Sequence, residues 1–137
     1  MSVEEENKAL IRRFYDLWNL PDWDAVFELC DPAWVSHYSS GGKSLEENKQ
    51  FWPTFYKAFP DIRLSFKHLI AEGDRVAFQE YWTGTHRGEF MGIAPTGRRV
   101  ELTNTCIIRI ANGKLMESWC TIDELRLMQQ LGVIPKQ

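Results

Sequence analysis

The chain has 137 residues, a formal net charge of −3 and a 13% aromatic content that includes six Trp, which suits one domain over residues 1–137 with a substantial core. The acidic balance, the lack of a Lys/Arg run and the lack of a long apolar stretch argue against a nucleic-acid surface and a membrane span. The polar start MSVEEENK shows no secretory signal, and three cysteines without paired or zinc-ligand spacing predict a cytoplasmic protein with no metal site.

Two helices and a short strand are predicted in the N-terminal third. Ser2 caps an amphipathic helix over roughly residues 3–18. Pro21 begins a second, short helix. Residues 34–38 then form a short extended segment that carries His37 and leads into a polar loop.

A third helix is predicted from the capping box at Ser44 and Glu47 onward. Pro53 lies inside it, and because proline lacks an N–H and clashes with the preceding turn, a kink or a break is expected there. Large rings on the first and third helices are expected to build the core and part of a pocket wall. They are Phe14, Tyr15, Trp18, Trp52, Phe55 and Phe59.

The second half of the chain predicts a four-stranded meander followed by one helix. With three helices before it, this order is typical of an α+β fold, in which helices cover one face of a curved antiparallel sheet. A bent sheet cupped over helices leaves a cavity, which is the default ligand site. The strands are predicted at about residues 62–71, 75–85, 99–110 and 115–120.

The second of these strands has two distinct faces. Phe78, Glu80 and Trp82 share one face, while Gln79 and Tyr81 share the other. We interpret the first face as exposed, so that Phe78 and Trp82 predict a homodimer interface. On that face Glu80 is either an interface residue or a buried acid. The polar line through Gln79 and Tyr81 suits the orientation of a ligand oxygen in the pocket.

The last two strands meet at an Asn-Gly pair, and the turn type decides which side chains share a face. A two-residue turn makes paired positions sum to an odd number, which sends Cys106 and Cys120 to opposite faces. A three-residue loop with Gly113 at positive φ makes the sum even and puts them on one face with Asn104 and Ser118. The Ala-Asn-Gly sequence favours the second arrangement. The two thiols, opposite or diagonal, are then expected to be free.

The C-terminal helix is predicted between a capping box at Thr121–Glu124 and Gly132. Leu125, Met128 and Leu131 form its apolar stripe. Gly132 suits the left-handed conformation that ends many helices.

Four segments of the chain carry a resemblance to a known family. They are ENKALIRRFYDLWN, GTHRGEFMGIAPTGRRVE, IIRIANGKLMESW and QQLG. They resemble the SnoaL-like polyketide cyclase family of the nuclear-transport-factor-2-like superfamily over about residues 6–132. The resemblance implies a cone-shaped α+β barrel that encloses an apolar pocket and is usually dimeric or tetrameric.

The resemblance also implies a chemistry, and the chain departs from it. The named cyclases close polyketide rings by an intramolecular aldol step without a cofactor, using a pocket Asp assisted by a His. Matched motif to motif, the Asp falls at Cys120 and the His at Cys106. Aldol cyclisation by the family's usual route is therefore not expected.

Other side chains are candidates for the acid/base role. His37 lies near the expected pocket mouth, and histidine is the side chain most often used as a general base, whereas a surface or capping role is its plainer interpretation. Asp123 follows the last strand, although a carboxylate in a first helical turn is also favoured by the helix dipole. His86 is assigned to the pocket or to ordering of the loop after it.

We therefore expect a cofactor-free protein with a pocket for a largely apolar, oxygenated small molecule. The first hypothesis is an enzyme of cyclase or isomerase type with His37 or Asp123 as acid/base. The second is a binding protein without catalysis. A third, an epoxide-hydrolase-like enzyme, needs two carboxylates and an Arg, for which only Arg109 and Asp123 are evident.

Overall fold

The computed structural model describes residues 1–135 as four helices and six strands. Three helices and two strands make up the first half, and four long strands and one helix make up the second half. In chain order the elements are α1 Val3–Asn19, α2 Trp23–Glu28, β1 Cys30–Tyr38, β2 Gly41–Ser44, α3 Leu45–Ala58, β3 Arg63–Glu72, β4 Arg75–Thr85, β5 Arg99–Ala111, β6 Lys114–Thr121 and α4 Glu124–Leu131.

The strands form one curved sheet in the order β2-β1-β6-β5-β4-β3, with α1 packed against β3 and β4 and α3 against β1. The expected α+β class is confirmed, but the sheet has six strands instead of four and does not close into a barrel. The expected short extended segment is longer than predicted, and it pairs in parallel with β6. The polar loop after it contains a short Gly-rich strand that pairs with it, a type of strand that composition disfavours.

The helices depart from the sequence expectations at three places. α3 begins at the predicted capping box but runs unbroken through Pro53. α2 is capped by Asp22 and begins two residues after Pro21. The cap of α4 is Asp123 instead of Thr121, and its buried residues are Leu127 and Leu131, whereas Leu125 of the predicted stripe is exposed.

The faces of β4 are the reverse of those expected. Phe78 and Trp82 are only 2% and 4% exposed, because their side of the strand faces the helices. The premise of an exposed Phe78/Trp82 patch was therefore wrong. Gln79 and Tyr81 alternate with these residues and so lie on the outer face of the sheet, away from the pocket.

The β5–β6 hairpin reaches the expected facing by a different route. Asn112 and Gly113 have φ values of 53° and 72°, and Ala111 pairs with Lys114, so the turn has two residues. The predicted three-residue loop was therefore wrong. Ile110 pairs with Leu115 but Arg109 pairs with Glu117, so β6 contains one extra residue at this point. This register shift makes Cys106 the direct partner of Cys120.

No helix within residues 1–135 combines the length and apolar character that crossing a membrane requires.

Candidate functional site

A pocket of about 300 Å³ lies between the inner face of the sheet and the helices. Its volume is at the lower end of the range for small-molecule sites. Eight of the residues predicted to line a pocket do line it, namely Phe14, Tyr15, Trp18, Trp52, Phe55, Asn104, Ser118 and Cys120. The wall is mainly apolar and contains many aromatic rings, and its charged side chains are Lys43, Glu80 and Glu124.

The most distinctive polar group in this pocket is the carboxyl of Glu80 on β4. The Tyr15 hydroxyl on α1 donates a hydrogen bond to Glu80 Oε2 at 2.5 Å. Asn104 Nδ2 on β5 donates to Glu80 Oε1 at 3.1 Å. Each carboxyl oxygen thus has its own donor, and the three side chains come from three different elements.

The surroundings of Glu80 act on its proton affinity in opposite directions. Burial raises the pKa of Glu80 above its ordinary value, while the hydrogen bonds from Tyr15 and Asn104 oppose that rise. Burial and the neighbouring Glu80 carboxylate raise the pKa of Tyr15 well above its ordinary value. Tyr15 therefore stays a neutral donor, and Glu80 is the group of the pair whose raised pKa suits it to exchange a proton.

The amide of Asn104 is oriented by the chain that enters α4. The backbone N–H of Asp123 donates to Asn104 Oδ1 at 3.0 Å, which leaves Nδ2 to face Glu80. The Asp123 side chain instead accepts from the Arg126 backbone N–H as the helix cap. It does not line the pocket, so the candidate acid Asp123 contributes to the site through its backbone.

His37 lies on the outer face of the sheet, which corrects its expected place near the pocket mouth. Ser36 is fully buried, so the period of two turns His37 outward on β1. Its Nε2 lies 2.7 Å from Glu117 Oε2, and its ring stacks on Trp119. The hydrogen bond to His37 lowers the pKa of Glu117. His37 therefore takes part in a polar cluster outside the pocket.

Two further predicted pocket residues lie behind the pocket wall. His86 is 0% exposed, and its Nδ1 accepts a hydrogen bond from the Thr96 backbone N–H at 3.2 Å. Its ring packs at a tilt against Phe59. Neither residue lines the pocket, so His86 orders the loop between β4 and β5.

The two cysteines on the inner face are in direct contact. Cys106 is fully buried, whereas Cys120 is partly buried and lines the pocket. Their sulfur atoms lie 2.6 Å apart, with Cys120 as the donor. That hydrogen bond and burial raise the pKa of Cys106 well above its ordinary value. Both thiols are free in the structure, but the pair is directly opposite and not diagonal.

The wall also contains aromatic groups that sequence reasoning missed. Trp34 and Tyr38 occupy even positions on β1 with the buried Ser36, and both line the pocket. Within residues 1–135, the buried indole nitrogens of Trp18 and Trp34 have no hydrogen-bond partner. Unpaired donors of this kind are uncommon in protein interiors.

Comparison with known proteins agrees with the fold. The model of a family described as SnoaL-like polyketide cyclase matches residues 8–131. No curated protein matches this chain.

Solved structures similar to the chain come from several bacteria. AclR from Streptomyces galilaeus, a candidate hydroxylase, is 34% identical with a TM-score of 0.89, and the match covers 97% of this chain and 85% of AclR. IdmH from Streptomyces antibioticus, a candidate polyketide cyclase, is 29% identical with a TM-score of 0.81 and coverage of 92% and 98%. A candidate SnoaL-like cyclase from Jannaschia sp. CCS1 is 25% identical, with a TM-score of 0.88 and coverage of 98% and 97%.

Proposed function

Because this chain belongs to the SnoaL-like polyketide cyclase family, we propose that it is a cofactor-independent enzyme that transfers protons on a largely apolar, oxygenated small molecule. Glu80 is the acid/base of this reaction. It takes the role that the resemblance assigns to an Asp at the position of Cys120. Tyr15 and Asn104 hold its two oxygens in place.

The observation that carries this proposal is the hydrogen bonding of Glu80. Its two oxygens are each held by a donor, inside an aromatic pocket that raises its pKa. A carboxylate of this kind suits removal of a proton from carbon next to a carbonyl. Return of the proton elsewhere gives isomerisation, and attack of the resulting carbanion on an internal carbonyl gives cyclisation.

The test measures proton exchange directly, so it does not require the natural substrate. Aromatic β-keto esters are incubated with the enzyme in D₂O, and deuterium uptake at the acidic carbon is followed by mass spectrometry. We expect the protein to accelerate uptake, and Glu80→Gln to lower the rate roughly 100-fold or more. His37→Ala is the matched control, since His37 lies outside the pocket. Equal rates for Glu80→Gln and the unchanged protein would refute the role of Glu80.

A binding protein without catalysis is the second candidate, because the resemblance places the family's Asp and His at Cys120 and Cys106. It predicts that a β-keto ester binds and quenches pocket Trp fluorescence while deuterium uptake stays at the buffer rate. The epoxide-hydrolase-like alternative loses its support. Arg109 pairs with Glu117, outside the pocket, and Asp123 caps α4.

A further inference from the structure

We propose that Cys106 and Cys120 form an oxidisable dithiol that an organic hydroperoxide entering the pocket converts into a cross-strand disulfide. This site is separate from the proposed acid/base chemistry and does not depend on it. The hydroperoxide is the oxidant, and the reaction modifies the protein itself.

The geometry of the hairpin carries this proposal. The register shift in β6 makes the two cysteines direct partners, and their sulfur atoms lie 2.6 Å apart. Directly opposed residues on neighbouring strands have Cα and Cβ separations close to those of a disulfide, whereas diagonal residues are too far apart. The strands therefore need little movement to accommodate an S–S bond.

The two thiols differ in access, which assigns them different roles. Cys120 lines the pocket, while Cys106 is fully buried behind it. The surrounding wall is mainly apolar, so it favours an apolar hydroperoxide over a charged oxidant. Cys120 is therefore the thiol that meets the oxidant, and Cys106 is the resolving thiol.

The chemistry balances in two steps. The Cys120 sulfur attacks the terminal oxygen of ROOH, the O–O bond breaks, and the departing alkoxide leaves as ROH with the thiol proton. The Cys106 sulfur then attacks the Cys120 sulfenic acid, the S–O bond breaks, and hydroxide leaves as water with the second thiol proton. Two thiols thus lose two electrons and two protons, and the hydroperoxide becomes an alcohol and water.

Cys30 provides a matched control inside the same chain. It is buried at the start of β1, donates to the Val26 carbonyl, and pairs with Leu115, at the opposite end of β6 from Cys120. It is not a register partner of either cysteine. Of the three cysteines, it alone should stay reduced.

The experiment treats the folded protein with cumene hydroperoxide, alkylates it with N-ethylmaleimide in denaturant, and measures its mass. Apart from the added alkyl groups, the mass of the protein should fall by about 2 Da. The number of alkylated cysteines should fall from three to one. Trypsin should then release residues 100–109 joined to residues 115–126, and dithiothreitol should separate them. Cys30→Ser should form the same cross-link.

Three results would overturn the proposal. They are a Cys120 sulfinic acid, about 32 Da heavier, with Cys106 still alkylated; a disulfide between two chains; and three alkylated sites after treatment. Cys106→Ala removes the resolving thiol and should itself give the sulfinic acid at Cys120. The peptide mapping uses the unchanged protein, so its outcome does not depend on whether that variant folds.

Discussion

Glu80 is a single residue whose environment contains opposing electrostatic contributions. Aromatic burial disfavours its carboxylate, while the donors Tyr15 and Asn104 favour it. Burial is the larger of these effects, so the pKa of Glu80 is raised. The consequences for proton transfer and for stability can be separated by two measurements.

Tyr15→Phe should raise the pKa of Glu80 further, because it deletes a hydrogen bond that favours the charged form. The measurement is a ¹³C NMR titration of the Glu80 carboxyl, and the acid limb of kcat/KM should move to higher pH with it. Tyr38→Phe is the control, since its hydroxyl lies at the pocket but does not bond to Glu80. An unchanged or lowered pKa in Tyr15→Phe would contradict this account.

Glu80 should also affect the pH dependence of stability. Since its pKa is raised by folding, its contribution is fully present below the ordinary Glu value and is lost as pH rises through the raised value. The free energy of unfolding of the unchanged protein, relative to Glu80→Gln, should therefore fall as pH rises from the ordinary Glu pKa through the raised one. Urea unfolding at each pH measures this difference. If this difference instead grew in favour of the unchanged protein as pH rises, the account would be contradicted.

At the scale of elements, the loop after β4 is held against the end of α3 by backbone contacts. The backbone N–H groups of Arg87 and Gly88 both donate to the Ala58 carbonyl oxygen. A Cβ on Gly88 would lie 2.1 Å from the Lys57 carbonyl oxygen. The glycine therefore permits a close approach of two backbones, which explains its place in the segment GTHRGEFMGIAPTGRRVE.

Gly88→Ala should lower the free energy of unfolding by about 2 kcal/mol or more, because a backbone oxygen cannot move aside as a side chain can. Chemical denaturation measures the change. Gly42→Ala is the matched control, because its Cβ would meet neighbours at 3.7 Å, an ordinary contact distance. Equal stabilities of the two variants would show that the loop moves away from α3 without cost.

At the scale of the whole molecule, the outer face of the sheet remains the expected dimer interface. The argument no longer rests on Phe78 and Trp82, which are buried. The outer face carries Ile107, which is 38% exposed, and Trp119, which pairs with it across β5 and β6. Apolar side chains at this position favour association.

We expect light scattering at micromolar concentration to give the mass of a homodimer, and Ile107→Glu to give a monomer, because the new carboxylate would be buried without a partner. Leu125→Glu is the control, since Leu125 is exposed on α4. A monomeric mass for the unchanged protein would exclude the dimer at that concentration.

Much of the architecture was predictable because it depends on local interactions. Ser44 capped α3, Gly132 ended α4 in a left-handed conformation, and β4 had the predicted bounds. The family motif also predicted the α+β class and the family match. Eight aromatic, polar and thiol side chains of the pocket were identified, since helix stripes and strand alternation are visible in the sequence.

By itself, then, the sequence determined which residues of β4 share a face, but not which face points inward. Alternation has the same period for either choice, and only packing against α1 decides between them. That choice brings Glu80 into the pocket and leaves Gln79 and Tyr81 outside it. The partner Tyr15 is 65 positions away in the chain. The acid at the centre of the candidate site is thus a product of tertiary contacts, which no local pattern encodes.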